Sequence, residues 1–419
     1  MYLTEQERAM LDGKEGPVVA EALDYIVQLG EAFDAERLVD IVYCHYPAEM
    51  GIYAGQVEEL VRYAQRGGKV RVPTTSTTLC ADLERLDSTG IPRELAELQA
   101  RVEGAHRGMG VMETYTCTPQ QIGFIPPFGS YIACTESSAI IYYNSVVGAR
   151  TNRGGMFTRY AGITGKYPLM GYLLTENRRG THHFRVNIPA QRLQAIDAWA
   201  ALGFHIGAIV GSEVPVIEGI RPNRQEWLVS FGATLATSGS VTLYHIPGVT
   251  PEARTLDEAF HGRIPQQSYE VTERDLGAVY DKLTTVKGPV AVDFVDLGCP
   301  HSTLEQLRDL AEKLRGKQLA AGVRFWINTN RMTRKQAGYS GYLHDIEASG
   351  ALVVADTCPV ECHFRQSTCR EYGLEVPHVK VMVTDSAKMA RYVGDLVGCR
   401  TILATRERCI EAAITGRWT

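Results

Sequence analysis

The chain has 419 residues, of which 45% are hydrophobic and 22% charged, and it carries a formal net charge of −5. This composition supplies a sizeable core, which excludes global disorder, and the acidic balance excludes nucleic-acid binding through a broad basic surface. No apolar run reaches the roughly 18 residues that span a membrane, and the polar N-terminus does not resemble a secretory signal. We therefore expect a cytoplasmic protein with no nucleic-acid or membrane partner.

The first two thirds of the chain show alternating helix and strand patterns. The N-terminal part predicts helices over 17–31, 55–66 and 92–106, strands over 37–43 and 69–73, and a buried helix over 136–147. Strand patterns then follow at 181–188, 213–217 and 240–246, separated by helix patterns at 190–202 and 222–235. Since a domain has about 100–200 residues, we divide the chain into an N-terminal α/β region, a middle α/β domain and a C-terminal parallel α/β domain, at 1–180, 181–270 and 271–419.

The C-terminal third predicts a parallel sheet that is covered by helices on both faces. Strand patterns at 290–296, 322–327, 351–355, 379–383 and 401–404 alternate with helix patterns at 303–315, 332–348, 386–397 and 407–414. Ser302 and Glu305 have the spacing of a capping box, which predicts where the first of these helices begins. Alternating strands and helices form parallel sheets, so the predicted fold class is α/β with mostly parallel sheets.

Two cysteines that precede a proline stand directly after predicted strands, Cys299 after 290–296 and Cys358 after 351–355. Ligands of open parallel sheets bind beyond the carboxyl ends of the strands, and an upstream loop carries a third cysteine, Cys117. Thiolates hold iron–sulfur clusters, so the three could bind one cluster with an open iron that acts as a Lewis acid. The spacing alone leaves three unrelated thiols as the alternative.

A second cysteine pattern overlaps the first. Cys358, Cys362 and Cys369 form a C-x3-C-x6-C run, and His363 stands beside it. These residue types bind zinc, but the spacing matches no common zinc finger or ribbon. Zinc is therefore the weaker of the two metal hypotheses.

Candidate catalytic residues lie at both ends of the predicted helix 136–147. Glu136, Ser137 and Ser138 begin it, and helix-start N–H groups together with serine hydroxyls can bind a carboxylate or phosphate. The alternative is that Glu136 is only a first-turn acid that the helix dipole favours. Asn152 follows the helix in a polar, basic stretch and is the fourth candidate.

Candidate substrate-binding residues are cationic or carry hydroxyl groups. Lys69 opens the predicted strand 69–73, and Thr74 and Thr75 begin the hydroxyl-rich run after it. Such a run could hold an oxyanion, although it is more often an ordinary turn. Arg150 and Arg153 could clamp a carboxylate, or they could simply be cations that stabilise a helix C-terminus.

Five motifs occur together in one order along the chain: ETYTCTP at 113–119, ESSAIIYYNSVVGARTNR at 136–153, GITGKYP at 162–168, LGCPH at 297–301 and DTCPV at 356–360. As a set they resemble the large subunit of the aconitase X family, a branch of the aconitase superfamily, over nearly the whole chain. The resemblance implies an aconitase-like fold of several α/β domains around a central cluster cleft. It also implies an iron–sulfur hydro-lyase that dehydrates a small hydroxy acid.

The family's cluster cysteines fall on Cys117, Cys299 and Cys358, the same three that follow from the strand ends. The resemblance implies a [4Fe-4S] cluster with one open iron, while mononuclear iron or another cluster type stays open. It further implies that activity requires a small subunit, whose swivelling domain carries a serine base. A non-catalytic iron or redox sensor is the alternative from another class.

Family members dehydrate cis-3-hydroxy-L-proline or mevalonate 5-phosphate. The chain departs from the family pattern at 44–55 and at Gln120-Gln121, which leaves the substrate open. A phosphate needs several cations, and the cations near the predicted cleft are few: Lys69, Arg150, Arg153 and Arg331. Carboxylates are available for the amine of hydroxyproline, namely Glu136, Asp356 and Asp385. We therefore expect cis-3-hydroxy-L-proline or a related small hydroxy acid.

Overall fold

The structure, a computed structural model, describes residues 1–48, 54–362, 373 and 378–419. The α-helices are α1 (Glu5–Leu11), α2 (Pro17–Ala32), α3 (Ala54–Gln65), α4 (Leu86–Thr89), α5 (Arg93–Met109), α6 (Ser137–Tyr142), α7 (Phe157–Thr164), α8 (Ile196–Val210), α9 (Gln225–Gly239), α10 (Leu256–Ala259), α11 (Glu273–Leu283), α12 (Leu304–Leu314), α13 (Arg331–Tyr339), α14 (Tyr342–Ala348), α15 (Ala387–Leu396) and α16 (Arg406–Thr415). One π-helical turn, Tyr143–Val147, continues α6 directly. Within these described residues, no helix is long and apolar enough to cross a membrane.

The strands form three parallel sheets and two short antiparallel pairs. They are β1 (Leu38–Asp40), β2 (Cys44–Tyr46), β3 (Thr74–Ser76), β4 (Ala133–Cys134), β5 (Lys166–Pro168), β6 (His182–Asn187), β7 (Pro215–Glu218), β8 (Gln267–Thr272), β9 (Val290–Ala291), β10 (Phe294–Leu297), β11 (Arg324–Thr329), β12 (Leu352–Ala355), β13 (Val381–Thr384), β14 (Arg400–Leu403) and β15 (Arg417–Trp418). The parallel sheets have the orders β12-β11-β10-β13-β14, β3-β2-β4 and β7-β6-β8, and the antiparallel pairs are β1-β5 and β15-β9.

The five-stranded sheet is buried on both faces, as its continuous apolar strands require. All four residues of β10 and all four of β13 are buried. In the parallel register, Asp296 of β10 lies beside Trp326 on one side and Thr384 on the other. Because the strands run parallel, the loops after β10, β12 and β13 emerge at one edge of the sheet.

The predicted strand 69–73 is wrong, because its backbone N–H groups bond to helix ends rather than to a neighbouring strand. Val70 donates to the carbonyl of Met109, and Arg71 donates to that of Gly162. The strand instead is Thr74–Ser76. The predicted strand 240–246 is also wrong, since the segment makes only an isolated bridge between His245 and Val216 among the described residues.

Several other boundaries also differ from the sequence prediction. The helix predicted to begin at 303 begins at Leu304, and Thr303 is its N-cap. The Thr303 hydroxyl accepts from the Gln306 N–H, so the predicted capping box of Ser302 and Glu305 is wrong. Ser302 still belongs to the preceding loop, because its N–H donates to the carbonyl of Asn328 at 2.9 Å. The predicted helix 332–348 is two helices, which are divided where Gly341 takes a φ of 80°.

The remaining predicted elements differ in length or were not predicted. The predicted strand 37–43 ends at Asp40 as β1, and β2 is a separate strand. The predicted strand 290–296 is divided into β9 and β10, and the predicted helix 190–202 begins only at Ile196. Within the part of the chain that the structure describes, nine further elements had not been predicted: α1, α4, α7, α10, α11, β4, β5, β8 and β15. Two of these helices begin with capping boxes, at Thr4 and Thr272, which was a usable signal in the sequence.

Candidate functional site

Three cysteines differ from the other six that the structure describes. Cys117, Cys299 and Cys358 are partly exposed, whereas the other six are buried. Burial raises the pKa of Cys299 to about 12, and it also raises the pKa of Cys117 and Cys358. The charge of Cys299 raises the pKa of those two thiols further. The Cys299 thiol therefore lies close enough to both of the others for its charge to act on them.

In each cysteine loop, a residue one or two positions before the cysteine has a positive φ angle. The φ angles are 37° at Tyr115, 88° at Gly298 and 66° at Asp356. A Cβ on Gly298 would lie 2.3 Å from the carbonyl oxygen of Asn328, so only glycine fits there. Positive φ in tyrosine and aspartate is uncommon and is held by the surrounding structure, which is frequent at functional sites.

His301 contacts the loops of all three cysteines. Its backbone N–H donates to Cys117 Sγ at 3.3 Å. Its ring lies 3.1 Å from Thr116 Oγ1 through Nδ1, and 3.1 Å from the Thr357 carbonyl oxygen through Nε2. Burial lowers the pKa of His301 to about 4, so the ring is neutral at ordinary pH.

A partly buried ion pair occupies the start of α6. Lys388 Nζ donates to Glu136 Oε1 at 2.9 Å, to Ser138 Oγ at 3.1 Å and to Ser137 Oγ at 3.3 Å. Glu136 also accepts from the hydroxyls of Ser137 and Ser138 and from the Ser138 N–H. Glu136, Ser137, Ser138 and Lys388 are therefore one hydrogen-bonded group, which we call the ion-pair cluster.

The ion-pair cluster lies beside the cysteines. Burial opposes the charge of Lys388, but Glu136 and the thiols of Cys299 and Cys117 raise its pKa overall. Conversely, Lys388 opposes the effect of burial on both thiols. A fixed ammonium next to two cysteines favours their thiolate form, which is the form that binds metal.

The sequence analysis missed Lys388, although a signal was present. Strand β13 ends at Thr384, four residues before Lys388. Lys388 lies in the first turn of α15, where a cation is opposed by the helix dipole. A lysine at such a position, directly after a strand of the parallel sheet, indicates a role other than helix stability.

Thr75 reaches this region through His45, a second residue that the sequence analysis missed. Nδ1 of His45 lies 2.8 Å from Thr75 Oγ1, which also bonds the Tyr43 hydroxyl. Burial lowers the pKa of His45 to about 4, opposed by the charge of Glu136, so His45 lies near the ion-pair cluster. Its Nε2 is buried and has no hydrogen-bond partner among the residues described.

Four other predicted site residues make structural contacts away from the ion-pair cluster. Lys69 is exposed and donates to the carbonyl of Gly108, and Thr74 donates to that of Val72 at 2.9 Å. Asn152 donates to the carbonyl of Met170 at 3.0 Å and accepts from the Tyr172 N–H at 2.8 Å. Arg150 donates to the Leu173 carbonyl at 2.9 Å and to Thr175 Oγ1 at 2.8 Å.

Arg153 is the predicted arginine that remains near the site. It is exposed, and its backbone bridges that of Cys134, two residues before Glu136. Its guanidinium contacts the carbonyls of Ala236 and Val241 at 3.3 and 3.4 Å. Partial burial of the guanidinium lowers the pKa of Arg153, and the nearby charge of Glu136 opposes this decrease.

The carboxylates that were expected to bind a substrate amine are already paired with cations. Asp356 accepts from Arg331 at 2.5 Å, and Asp385 accepts from Arg406 at 2.9 Å. Glu136 is paired with Lys388. The argument that favoured an amine-bearing substrate therefore loses its structural support.

Parts of the proposed zinc pattern and of the divergent segment lie outside the residues that the structure describes. Cys369 and His363 of the zinc pattern lie outside the described residues, as do residues 49–53 of the divergent segment 44–55. Across the described ranges, no three His, Cys, Asp or Glu side chains form a group that could hold one metal ion.

The ion pair predicts a pH dependence of stability. Burial raises the pKa of Glu136, but Lys388 and the Ser138 N–H lower it overall to about 2, against 4.5 for the free side chain. Ionised Glu136 thus stabilises the fold above pH 4.5, by about 3 kcal/mol, and this contribution is lost as the pH falls towards 2. Urea unfolding of the wild type and of Glu136→Gln should show a stability difference that shrinks between about pH 5 and pH 3. A difference that stays constant over this range would contradict the ionised pair.

Comparison with known proteins gives the same family over the whole chain. Models of the first, second and third domains of aconitase X match residues 1–176, 180–281 and 292–415. The phosphomevalonate dehydratase large subunit of Methanothermobacter thermautotrophicus is 38% identical over 403 residues, which is 95% of each chain. The cis-3-hydroxy-L-proline dehydratase of Pseudomonas aeruginosa is 33% identical over 98% of this chain and 70% of its own length. The crystal structure of Thermococcus kodakaraensis aconitase X in its holo-form superposes with a TM-score of 0.85 and 30% identity, covering 99% of this chain and 100% of that one.

Proposed function

Since this chain belongs to the aconitase X family, we propose that it is the large subunit of an iron–sulfur hydro-lyase that dehydrates a small hydroxy acid. The observation that carries this proposal is the ion-pair cluster beside Cys117 and Cys299. The proposed division at 1–180, 181–270 and 271–419 is supported by the three matching domain models, which fall in the same order.

Cys117, Cys299 and Cys358 are the proposed cluster ligands. They are three partly exposed thiols, their three loops are all in contact with His301, and Lys388 lies close to two of them. This donor set fits an iron–sulfur cluster, which thiolates hold, and three ligands leave one position of a [4Fe-4S] cluster open. When bound, the cluster would supply a Lewis acid at that position.

The residues of this chain would bind the substrate acid and stabilise charge. Arg153 is the cation available to the substrate carboxylate, because it is exposed close to Glu136, whereas the hydroxyls of Ser137 and Ser138 already donate to Glu136. The ammonium of Lys388 stabilises negative charge that develops on the substrate, and Glu136 holds that ammonium in place. Preorganised charge of this kind costs no reorganisation during the reaction.

The base that removes the carbon-bound proton is proposed to lie on a small subunit. Elimination of water needs a base for this proton while the leaving hydroxyl is stabilised. Relatives named large subunits support the existence of such a partner. We place a serine base on its swivelling domain, so that the site is complete only when the two subunits associate.

A second candidate substrate, mevalonate 5-phosphate, is favoured by specific observations. The relative with 38% identity is a phosphomevalonate dehydratase large subunit. The three carboxylates that were expected to bind the amine of hydroxyproline are paired with cations instead. cis-3-Hydroxy-L-proline stays the first candidate from the sequence, and the relatives that act on it match 98% and 99% of this chain.

Anaerobic reconstitution with iron, sulfide and the small subunit tests the proposed function. We expect dehydration of cis-3-hydroxy-L-proline, mevalonate 5-phosphate or a related hydroxy acid by the complex, measured as loss of substrate and formation of the unsaturated acid. Neither subunit alone should turn over. A complex that holds its cluster but dehydrates no compound of the panel would favour an iron or redox sensor instead.

A further inference from the structure

We propose that His301 is a positioning residue, which holds the three cysteine loops at the spacing that the cluster requires. This inference rests on the proposed function, because it concerns the binding of the cluster. His301 is 1% exposed and lies two residues after Cys299. Through its ring and its backbone it is bonded to the loops of the other two cysteines.

The carbonyl of Thr357 fixes the tautomer of the ring. A carbonyl oxygen can only accept, so Nε2 of His301 carries the proton and donates to Thr357, the residue before Cys358. The neutral ring then presents a lone pair at Nδ1, which accepts from the hydroxyl of Thr116, the residue before Cys117. Both ring nitrogens are thereby satisfied inside the protein.

Thr116 also connects the His301 ring to the rest of the Cys117 loop. Its Oγ1 accepts from the Thr118 N–H at 3.1 Å, so one hydroxyl joins both neighbours of Cys117 to His301. The backbone N–H of His301 reaches the Cys117 sulfur itself at 3.3 Å. Hydrogen bonds to cluster sulfurs raise or lower the reduction potential, so His301 acts on the cluster as well as on the spacing of its ligands.

The bonds of His301 join residues that are far apart along the chain. Thr116 and His301 are separated by 185 residues, and His301 and Thr357 by 56. Without the ring, the loops of Cys117 and Cys358 would lose the direct bonds that it makes to them. Residues that orient metal ligands in this way typically change metal affinity by about 10- to 100-fold when they are replaced.

The test compares His301→Ala with a matched histidine elsewhere. His245 is also buried and donates from Nε2 to a backbone carbonyl, that of Arg178 at 2.7 Å, so His245→Ala removes the same kind of bond. Iron and sulfide content, the rate of iron release to a chelator, the reduction potential and the melting temperature are measured on each reconstituted holoenzyme.

We expect His301→Ala to release iron about 10- to 100-fold faster than the wild type and to have a shifted reduction potential. His245→Ala should release iron at the wild-type rate. His301→Gln should recover part of the loss, because its side-chain amide can still donate to the Thr357 carbonyl. Wild-type iron release in His301→Ala, or equal acceleration in His245→Ala, would overturn the inference.

A second variant keeps the test decisive if His301→Ala does not fold. Thr116→Val removes the hydroxyl that donates to Nδ1 and leaves His301 in place. We expect faster iron release in the same direction but of smaller size, and an unchanged rate would overturn the inference. Absence of a cluster from the wild-type protein would refute the proposed function itself, which separates the two failures.

Discussion

Replacing Cys299 with serine is expected to abolish the visible absorption of the reconstituted protein and to reduce its dehydratase activity by more than about 100-fold. Replacing residues that only orient metal ligands already lowers metal affinity or activity by about 10- to 100-fold. Loss of a ligand itself should have a larger effect. The charge of Cys299 raises the pKa of both of the other two thiols, which places Cys299 near each of them. We therefore expect no neighbouring thiol to bind the cluster in its place. Cys117→Ser and Cys358→Ser should have the same effect.

Cys80→Ser is the matched control for this prediction. Cys80 is buried, and its thiol donates to Gln99 Oε1 at 3.3 Å, a bond that a serine hydroxyl can also make. We expect this variant to keep its cluster and its activity. An unchanged absorption spectrum in Cys299→Ser, measured beside Cys80→Ser, would remove Cys299 from the ligand set.

The second large effect is expected at Lys388. Lys388→Met should lower kcat by about 100- to 1,000-fold, which is the usual cost of removing one preorganised electrostatic contact. It should also destabilise the fold, by up to about 3 kcal/mol, because Glu136 is left partly buried and without its cation. Steady-state kinetics of the two-subunit complex and urea unfolding measure the two effects separately.

A double variant distinguishes the structural effect from the catalytic one. Lys388→Met combined with Glu136→Gln removes both charges, so the stability loss should be smaller than the sum of the two single losses. Activity should not return, because the ammonium is still missing. A double variant that regains activity, or a Lys388→Met enzyme within about tenfold of wild-type kcat, would show that the ion pair is only structural.

The C-terminal sheet and the three cysteines could be predicted from the sequence because their signals are local. Each strand is a short apolar run, and parallel sheets place ligands beyond the ends of such runs. Cys299 and Cys358 stand directly after two of these strands. Cys117 of an upstream loop completed the predicted set, and the family resemblance implies the same three cysteines, so this prediction needed no knowledge of long-range contacts.

Other site residues could not be predicted because their roles depend on contacts between distant segments. Arg150 and Arg153 look alike in the sequence, yet Arg150 donates to Leu173 and Thr175 while Arg153 stays exposed near Glu136. Lys388 becomes part of the site only through Glu136, which is 252 residues away. The predicted strand 69–73 failed for a related reason, since the apolar pattern does not reveal that its N–H groups bond to helix ends.

The ion pair between Glu136 and Lys388 also constrains when the protein can mature. Translation delivers the Cys117 loop and Glu136 first, and Cys358 and then Lys388 follow later, Lys388 coming 252 residues after Glu136. Until then the nascent chain has neither a complete set of thiols nor the ammonium that favours their ionisation. Under the proposed function, iron–sulfur assembly factors would therefore meet a complete acceptor only after Lys388 has been synthesised.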